Sequence, residues 1–236
     1  MMAEILLLAG SAAAIAFVHT LLGPDHYLPF VAMAKARQWS LARTVSVTLW
    51  CGLGHLVGSV ALGLVGIGLG SALSGLVAVE ALRGEAAAWM LLGLGLAYAA
   101  WGLRRAWRRR PHAHWHCHGD VLHHHEHGHE GEHAHVHDQA SGASVTPWVI
   151  FIIFVLGPCE PLIPLLMYPA ATHSMAGVLA VTTVFGLVTV GTMLAVVVLL
   201  HRSLSAVHLR GLQPYSHAMA GAAIFACGAG MVFLGL

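Results

Sequence analysis

Residues 5–26 read ILLLAGSAAAIAFVHTLLGPDH, and the interpretation of that stretch decides the fold. Up to Val18 it carries no charged side chain. About 20 predominantly apolar residues suffice to span the hydrocarbon core of a bilayer. Glu4 precedes the run, where a secretory leader would carry basic residues. The run also continues directly into His19 and the motif Gly23-Pro24-Asp25-His26, so it is read as a retained first transmembrane helix. Pro24 has no N–H, and its ring would meet the carbonyl of Thr20, so that helix is expected to break there. Gly23 is expected to supply backbone freedom that other residues lack.

The rest of the chain follows the same pattern. Of 236 residues, 58% are hydrophobic and 9% charged, and the mean hydropathy is +0.76. A soluble domain has roughly 25% charged residues; this one has too few to cover a globule in water. The net charge of +1 excludes a nucleic-acid partner. Cys51, Cys117, Cys159 and Cys227 form no CxxC pair, so neither a zinc ribbon nor a disulfide framework is indicated. Six apolar stretches are expected to cross the bilayer as helices, at about 4–22, 44–70, 86–104, 147–170, 175–200 and 215–236. They are too long and too uniformly apolar for barrel strands. The apolar residues 71–79 read as a helix extension or an interfacial turn.

Basic residues set the expected orientation. Lys35, Arg37 and Arg43 follow the first span, Arg104, Arg105, Arg108, Arg109 and Arg110 the third, and Arg202 and Arg210 the fifth. The opposite side carries only Arg83, flanked by Glu80 and Glu85. The positive-inside rule then puts the basic side in the cytoplasm of a multi-pass cell (inner) membrane protein, with both termini outside.

The chain also repeats itself. Leu22-Gly23-Pro24-Asp25-His26 recurs 134 positions later as Leu156-Gly157-Pro158-Cys159-Glu160. At the same offset Gly52-Leu53-Gly54-His55 meets Gly186-Leu187-Val188-Thr189. Three helices per half make the halves opposite in orientation, a plan that transporters use with the site near the midplane. The expected fold is therefore all-α: six transmembrane helices as two inverted three-helix repeats, 1–110 and 145–236, in one membrane domain. Helices one and four are expected to be broken, and a disordered loop, 111–144, to join the halves. Pro29, Pro158, Pro161 and Pro164 are expected to interrupt helices as Pro24 does.

Few ionisable groups then remain inside the membrane: His19, Asp25, His26, His55 and Glu160. A carboxylate at the bilayer centre costs on the order of 2.5–3.5 kcal/mol on insertion scales, so each must face a partner or water. His19 and His26 are seven residues apart, about 10 Å along a straight helix. Two imidazoles on one metal need nitrogens about 2 Å from it. An intact helix cannot bring them together, whereas a break at Gly23-Pro24 can, and His55 could add a third nitrogen. Imidazole with carboxylate suits nickel, cobalt, zinc or copper(II) better than magnesium or calcium. Glu160 and Cys159 stand as second-repeat ligands or gating groups.

The loop adds His112, His114, His116, His118, His123, His124, His125, His127, His129, His133, His135 and His137, interleaved with acids. With almost no apolar residues it is expected to be disordered. Neutral imidazoles at cytoplasmic pH make it an accessory metal-binding element.

The segment from His19 to His26, His-x5-Asp-His, resembles the first-helix signature of the nickel/cobalt transporter superfamily, closest to its urease-accessory-like permeases. The His-rich loop is similar to that of the superfamily's efflux members. The resemblance implies binding of Ni²⁺ or Co²⁺ by His19, Asp25 and His26, with Zn²⁺ using the same ligands, and a transporter rather than an enzyme. It leaves the direction open, and a cytoplasmic metallochaperone belongs among the expected partners with the ion and the bilayer. Better-known members have four residues between the His and the Asp-His pair, where this chain has five. The segment Gly157-Pro158-Cys159-Glu160-Pro161 looks instead like the membrane carriers of thiol-disulfide reducing equivalents. That chemistry would require Cys51 to pair with Cys159, because the repeat partner of Cys159 is Asp25.

Overall fold

The computed structural model describes residues 2–68, 73–108, 112–118, 121–127, 145–157, 159, 161–172, 174–206 and 210–235. Outside one hairpin these residues are helical. The helices are α1 (Met2–Leu22), α2 (Leu28–Arg37), α3 (Leu41–Gly68), α4 (Leu73–Arg108), α5 (Val145–Leu156), α6 (Leu162–Ala171), α7 (Met175–Ala206) and α8 (Ser216–Ala229). A 3-10 segment over Arg210–Tyr215 leads into α8, and a π turn over Gly230–Leu234 extends it. Among the described residues, five segments are long and apolar enough to cross a membrane: Ala3–Leu22, Leu41–Gly66, Gly75–Arg108, Met175–Leu204 and Leu212–Leu234. Their outward faces carry bare hydrocarbon, with Leu7 73%, Leu187 70% and Phe233 71% exposed. On a water-soluble protein so much exposed apolar surface would need a partner; on a multi-pass membrane protein that partner is lipid.

The stretch 147–170, expected to be a broken span, is the short helices α5 and α6, with the break between Leu156 and Leu162. One expectation about the spans is corrected. The third span begins at Leu73 rather than near residue 86, so the apolar residues before Glu80 extend it. At 36 residues α4 is about 54 Å long, well beyond a hydrocarbon core of about 30 Å.

The first helix breaks where Pro24 requires it. α1 ends at Leu22, Gly23 is extended (φ −87°, ψ 96°), and Pro24–His26 form a single 3-10 turn before α2. Gly23 therefore does not supply a left-handed backbone; space is its contribution, as shown below. Pro29 lies in the first turn of α2 and Pro161 caps α6. There a missing N–H costs nothing, so these prolines start helices rather than interrupt them. Pro164 sits in the first turn of α6 in the same way. Pro158 lies outside the described residues.

Helix boundaries recur along the chain. α1 and α5 end at Leu22 and Leu156, α2 and α6 are both ten residues long, starting at Leu28 and Leu162, and α3 and α7 start at Leu41 and Met175. Each pair is displaced by 134 positions. Packing follows the same exchange: α1 lies against α7 as α5 lies against α3, and α4 packs on α8.

The α4–α8 seam is backbone on backbone. A Cβ on Gly95 would fall 2.2 Å from the backbone nitrogen of Phe225, and one on Gly221 would fall 2.2 Å from that of Ala99. Gly102 meets Ala218 and Gly228 meets Leu92 in the same manner. Lipid tails give apolar side chains no reason to prefer each other, so helices in membranes associate through such close approaches of small residues.

The joining loop contributes one hairpin among the described residues. β1 (His112–His118) pairs antiparallel with β2 (Val121–His127), opposing His112 to His127, His114 to His125 and His116 to His123. The period-2 alternation of histidine in β1 and the intervening Gly-Asp pair are hairpin signals. Residues 128–144, with His129, His133, His135 and His137, lie outside the described residues.

Candidate functional site

The break in helix one gathers the histidines that the sequence separates. His19 sits in the last turn of α1, and His26 closes the 3-10 turn. Their ring centroids are 4.9 Å apart and edge to face. The ring centroid of His55, midway along α3, lies 5.4 Å from that of His26. His26 and His55 are 2% and 3% exposed and His19 is half-buried, so His26 neighbours both other rings in a largely enclosed row.

Hydrogen bonds assign the ring nitrogens. His26 Nδ1–H donates to the Gly23 carbonyl at 3.2 Å and to Asp25 Oδ1 at 3.1 Å. His55 Nδ1–H donates to the Phe154 carbonyl at 3.2 Å, across to the end of α5. A carbonyl can only accept, so Nδ1 of His26 and of His55 carries a proton, and in the neutral ring Nε2 then keeps its lone pair. Nε2 of His19, His26 and His55 is buried without a hydrogen-bond partner. Buried polar atoms are normally paired, and three such nitrogens on neighbouring rings are what a Lewis acid would satisfy. The rings are neighbours, not yet convergent: among the described residues no three His, Cys, Asp or Glu side chains stand close enough to share one ion.

Gly23 makes this crowding possible. A Cβ there would lie 2.6 Å from His26 Nδ1, 2.8 Å from Asp25 Oδ1 and 3.1 Å from the His19 carbonyl. The second break has a matching close approach, since a Cβ on Gly157 would lie 3.3 Å from His55 Nδ1.

The other expected residues divide. Cys159 is fully buried in a cluster with Ala16, Leu162 and Phe185, whereas Cys51 belongs to a separate cluster with Phe30, Met193 and Ile224. Cys51, Cys159 and Cys227 are free thiols. Glu160 lies outside the described residues.

The sequence reading missed one element. Glu80 and Arg83, expected as flanks on the poorly charged side, are instead 1% and 18% exposed. Arg83 Nη1 donates to Glu80 Oε1 at 2.7 Å, and Nη2 donates to the Val155 carbonyl at 2.7 Å. The guanidinium fits a notch left by Gly58, where a Cβ would lie 3.0 Å from Nη2. Gly58 is one turn from His55 on α3, so the pair belongs to the interior, where each lone charge would be expensive. The available signal was the i,i+3 spacing of opposite charges inside an otherwise apolar run.

Three hydroxyls, on Thr20, Ser59 and Thr189, are also buried without partners. Thr44 and Thr48, by contrast, donate back to Ser40 and Thr44 carbonyls on their own helix. Thr189 occupies the position 134 residues after His55.

Basic side chains gather at the far end of α2, α4 and α7. Lys35 Nζ donates to the Leu204 carbonyl, Arg37 lies over the Tyr98 ring, and Arg105 lies over Trp101. Tyr98 in turn bonds His217 at the start of α8. Arg–Trp pairs of this kind suit a membrane–water interface.

No protein-family model, no curated protein and no solved structure matches this chain.

Proposed function

We propose that the chain carries a divalent transition-metal ion, Ni²⁺ or Co²⁺, across the bilayer by way of His19, His26 and His55. The supporting observation is the row of three neighbouring imidazoles whose buried Nε2 atoms have no partner. Three nitrogens with a nearby carboxylate suit a borderline metal and not a hard one. Asp25 then works through His26, since a carboxylate on Nδ1 fixes the ring and raises the basicity of Nε2. The Phe154 carbonyl does the same for His55. Bonds of about 2.1 Å to one ion require the rings to turn inward from their present spacing, so loading tightens the site.

The recurring helix ends at an offset of 134 favour two inverted three-helix halves, the broken passes being α1–α2 and α5–α6. The shared end of Lys35, Arg37, Arg105 and Leu204 favours a cytoplasmic face there. The hairpin with its opposed histidines extends from that end of α4 and would collect the same ion. Rocking of one half against the other would expose the row alternately. The thiol-disulfide reading draws no such support, because Cys51 and Cys159 lie in different buried clusters.

The test is His26→Ala in proteoliposomes with Ni²⁺ or Co²⁺ flux as the readout. Flux should fall by at least tenfold, and undiminished flux refutes the assignment. Deleting residues 112–138 and comparing cellular nickel with metal tolerance distinguishes export from uptake.

A further inference from the structure

The interior ion pair has geometry beyond that of ordinary packing. α5 stops at Leu156, and the Gly157 N–H that follows it bonds the Ile153 and Phe154 carbonyls at 2.8 and 3.1 Å, although a helix end leaves its last carbonyls in want of donors. Two helices supply further ones. His55, from α3, takes the Phe154 carbonyl, and Arg83, from α4, takes the adjacent Val155 carbonyl. Glu80 holds the other arm of the same guanidinium. A continuous series of hydrogen bonds thus runs from Glu80 through Arg83 to the severed end of α5, and from there to the ring of His55. Arg83 also fills the notch at Gly58 on the helix that bears His55, so it fixes both sides of the His55–Phe154 bond. A planar fork can bridge two acceptors in this way, whereas a point charge cannot.

We propose that Arg83, set by Glu80, is a positioning residue that holds the severed end of α5 so that His55 presents its Nε2 to the ion. This rests on the metal-site reading above. The partner on Nδ1 determines the orientation and basicity of a metal-bound imidazole, and losing such a partner typically weakens metal binding 10–100-fold. Loosening Arg83 frees the last turn of α5, and with it the Phe154 carbonyl that His55 Nδ1 bonds.

The experiment titrates the full chain in nanodiscs with Co²⁺ and follows its visible d–d absorption, which reports ligand number and geometry. The signal is the difference between the chain and its His55→Ala version, which separates the buried row from the hairpin histidines. The double variant Glu80→Gln/Arg83→Gln leaves no lone charge behind. It should fold, lose at least tenfold in Co²⁺ affinity and show an altered d–d band. Arg83→Lys keeps the charge but not the fork and should lose several-fold; it carries the test if the double variant does not fold. Unchanged affinity and spectrum in either folded variant overturns the proposal while the metal site stands. If the unsubstituted chain and His55→Ala give identical titrations, the metal-site reading fails and this proposal fails with it.

Discussion

Gly23→Ala tests the site with little disturbance of the fold. The backbone at Gly23 (φ −87°, ψ 96°) is open to any L-residue, so alanine creates no torsional strain. On general grounds it should stabilise the chain by about 0.4–1 kcal/mol through the unfolded state. The cost falls on the site alone. The new methyl would sit 2.6 Å from His26 Nδ1, and ordinary contact begins near 3.4 Å, so the ring must retreat by the difference, about 0.8 Å. Asp25 Oδ1, at 2.8 Å, is pushed at the same time. A retreat of that size stretches the 3.1 Å and 3.2 Å bonds that hold the ring beyond useful length. A hydrogen bond to a charged group contributes about 1.5–3 kcal/mol, which is roughly 10–100-fold in affinity. Calorimetric Co²⁺ titration of the purified protein, beside thermal unfolding without metal, should show that loss together with a lowered Tm, because the ring bonds lost from the metal-free fold outweigh the unfolded-state gain. Gly10→Ala, where a Cβ meets nothing within 4 Å, is the control. If Gly23→Ala binds and transports like the unsubstituted chain, the reasoning from crowding to metal affinity is wrong.

The α4–α8 seam predicts a different pattern. Gly221→Val should separate the helices, because even its Cβ would meet peptide backbone at 2.2 Å. Overpacking costs typically 1–3 kcal/mol and more where backbone must move, so a clear drop in Tm and in monodisperse yield is expected by size-exclusion chromatography. A third comparison concerns the unpartnered hydroxyls. Thr189→Val removes a buried group that lacks a hydrogen bond and should raise Tm, while Thr48→Val removes one that donates to Thr44 and should lower it. Each effect should be about 1 kcal/mol, and equal signs in thermal unfolding would contradict the hydrogen-bond assignment.

Much of the site was legible because proline chemistry is local. Pro24 removes a helix hydrogen bond and crowds the preceding turn, and the seven-residue spacing of His19 and His26 becomes a contact only when the helix breaks between them. His55 was legible only as a third imidazole on the next helix beside the pair that flanks Asp25. The Glu80–Arg83 pair was not, because opposite charges near the end of an apolar stretch look like an interfacial flank until the Val155 carbonyl is seen to need a donor. The strand pairing of β1 and β2 was not read from composition, although the alternation of histidine in β1 carried the strand period. The function assigned to Gly23 was misread for a related reason. Conformational freedom is visible in a sequence, whereas the room a neighbouring ring requires is visible only in three dimensions.

Along the contact between the third and last long helices, peptide touches peptide at Gly95, Gly102, Gly221 and Gly228. No side chain stands there to switch rotamer and cushion a displacement, so the seam between the two halves resists sliding and serves as their pivot. Movement about it must be absorbed where the rods are already cut, in the short segments α2, α5 and α6.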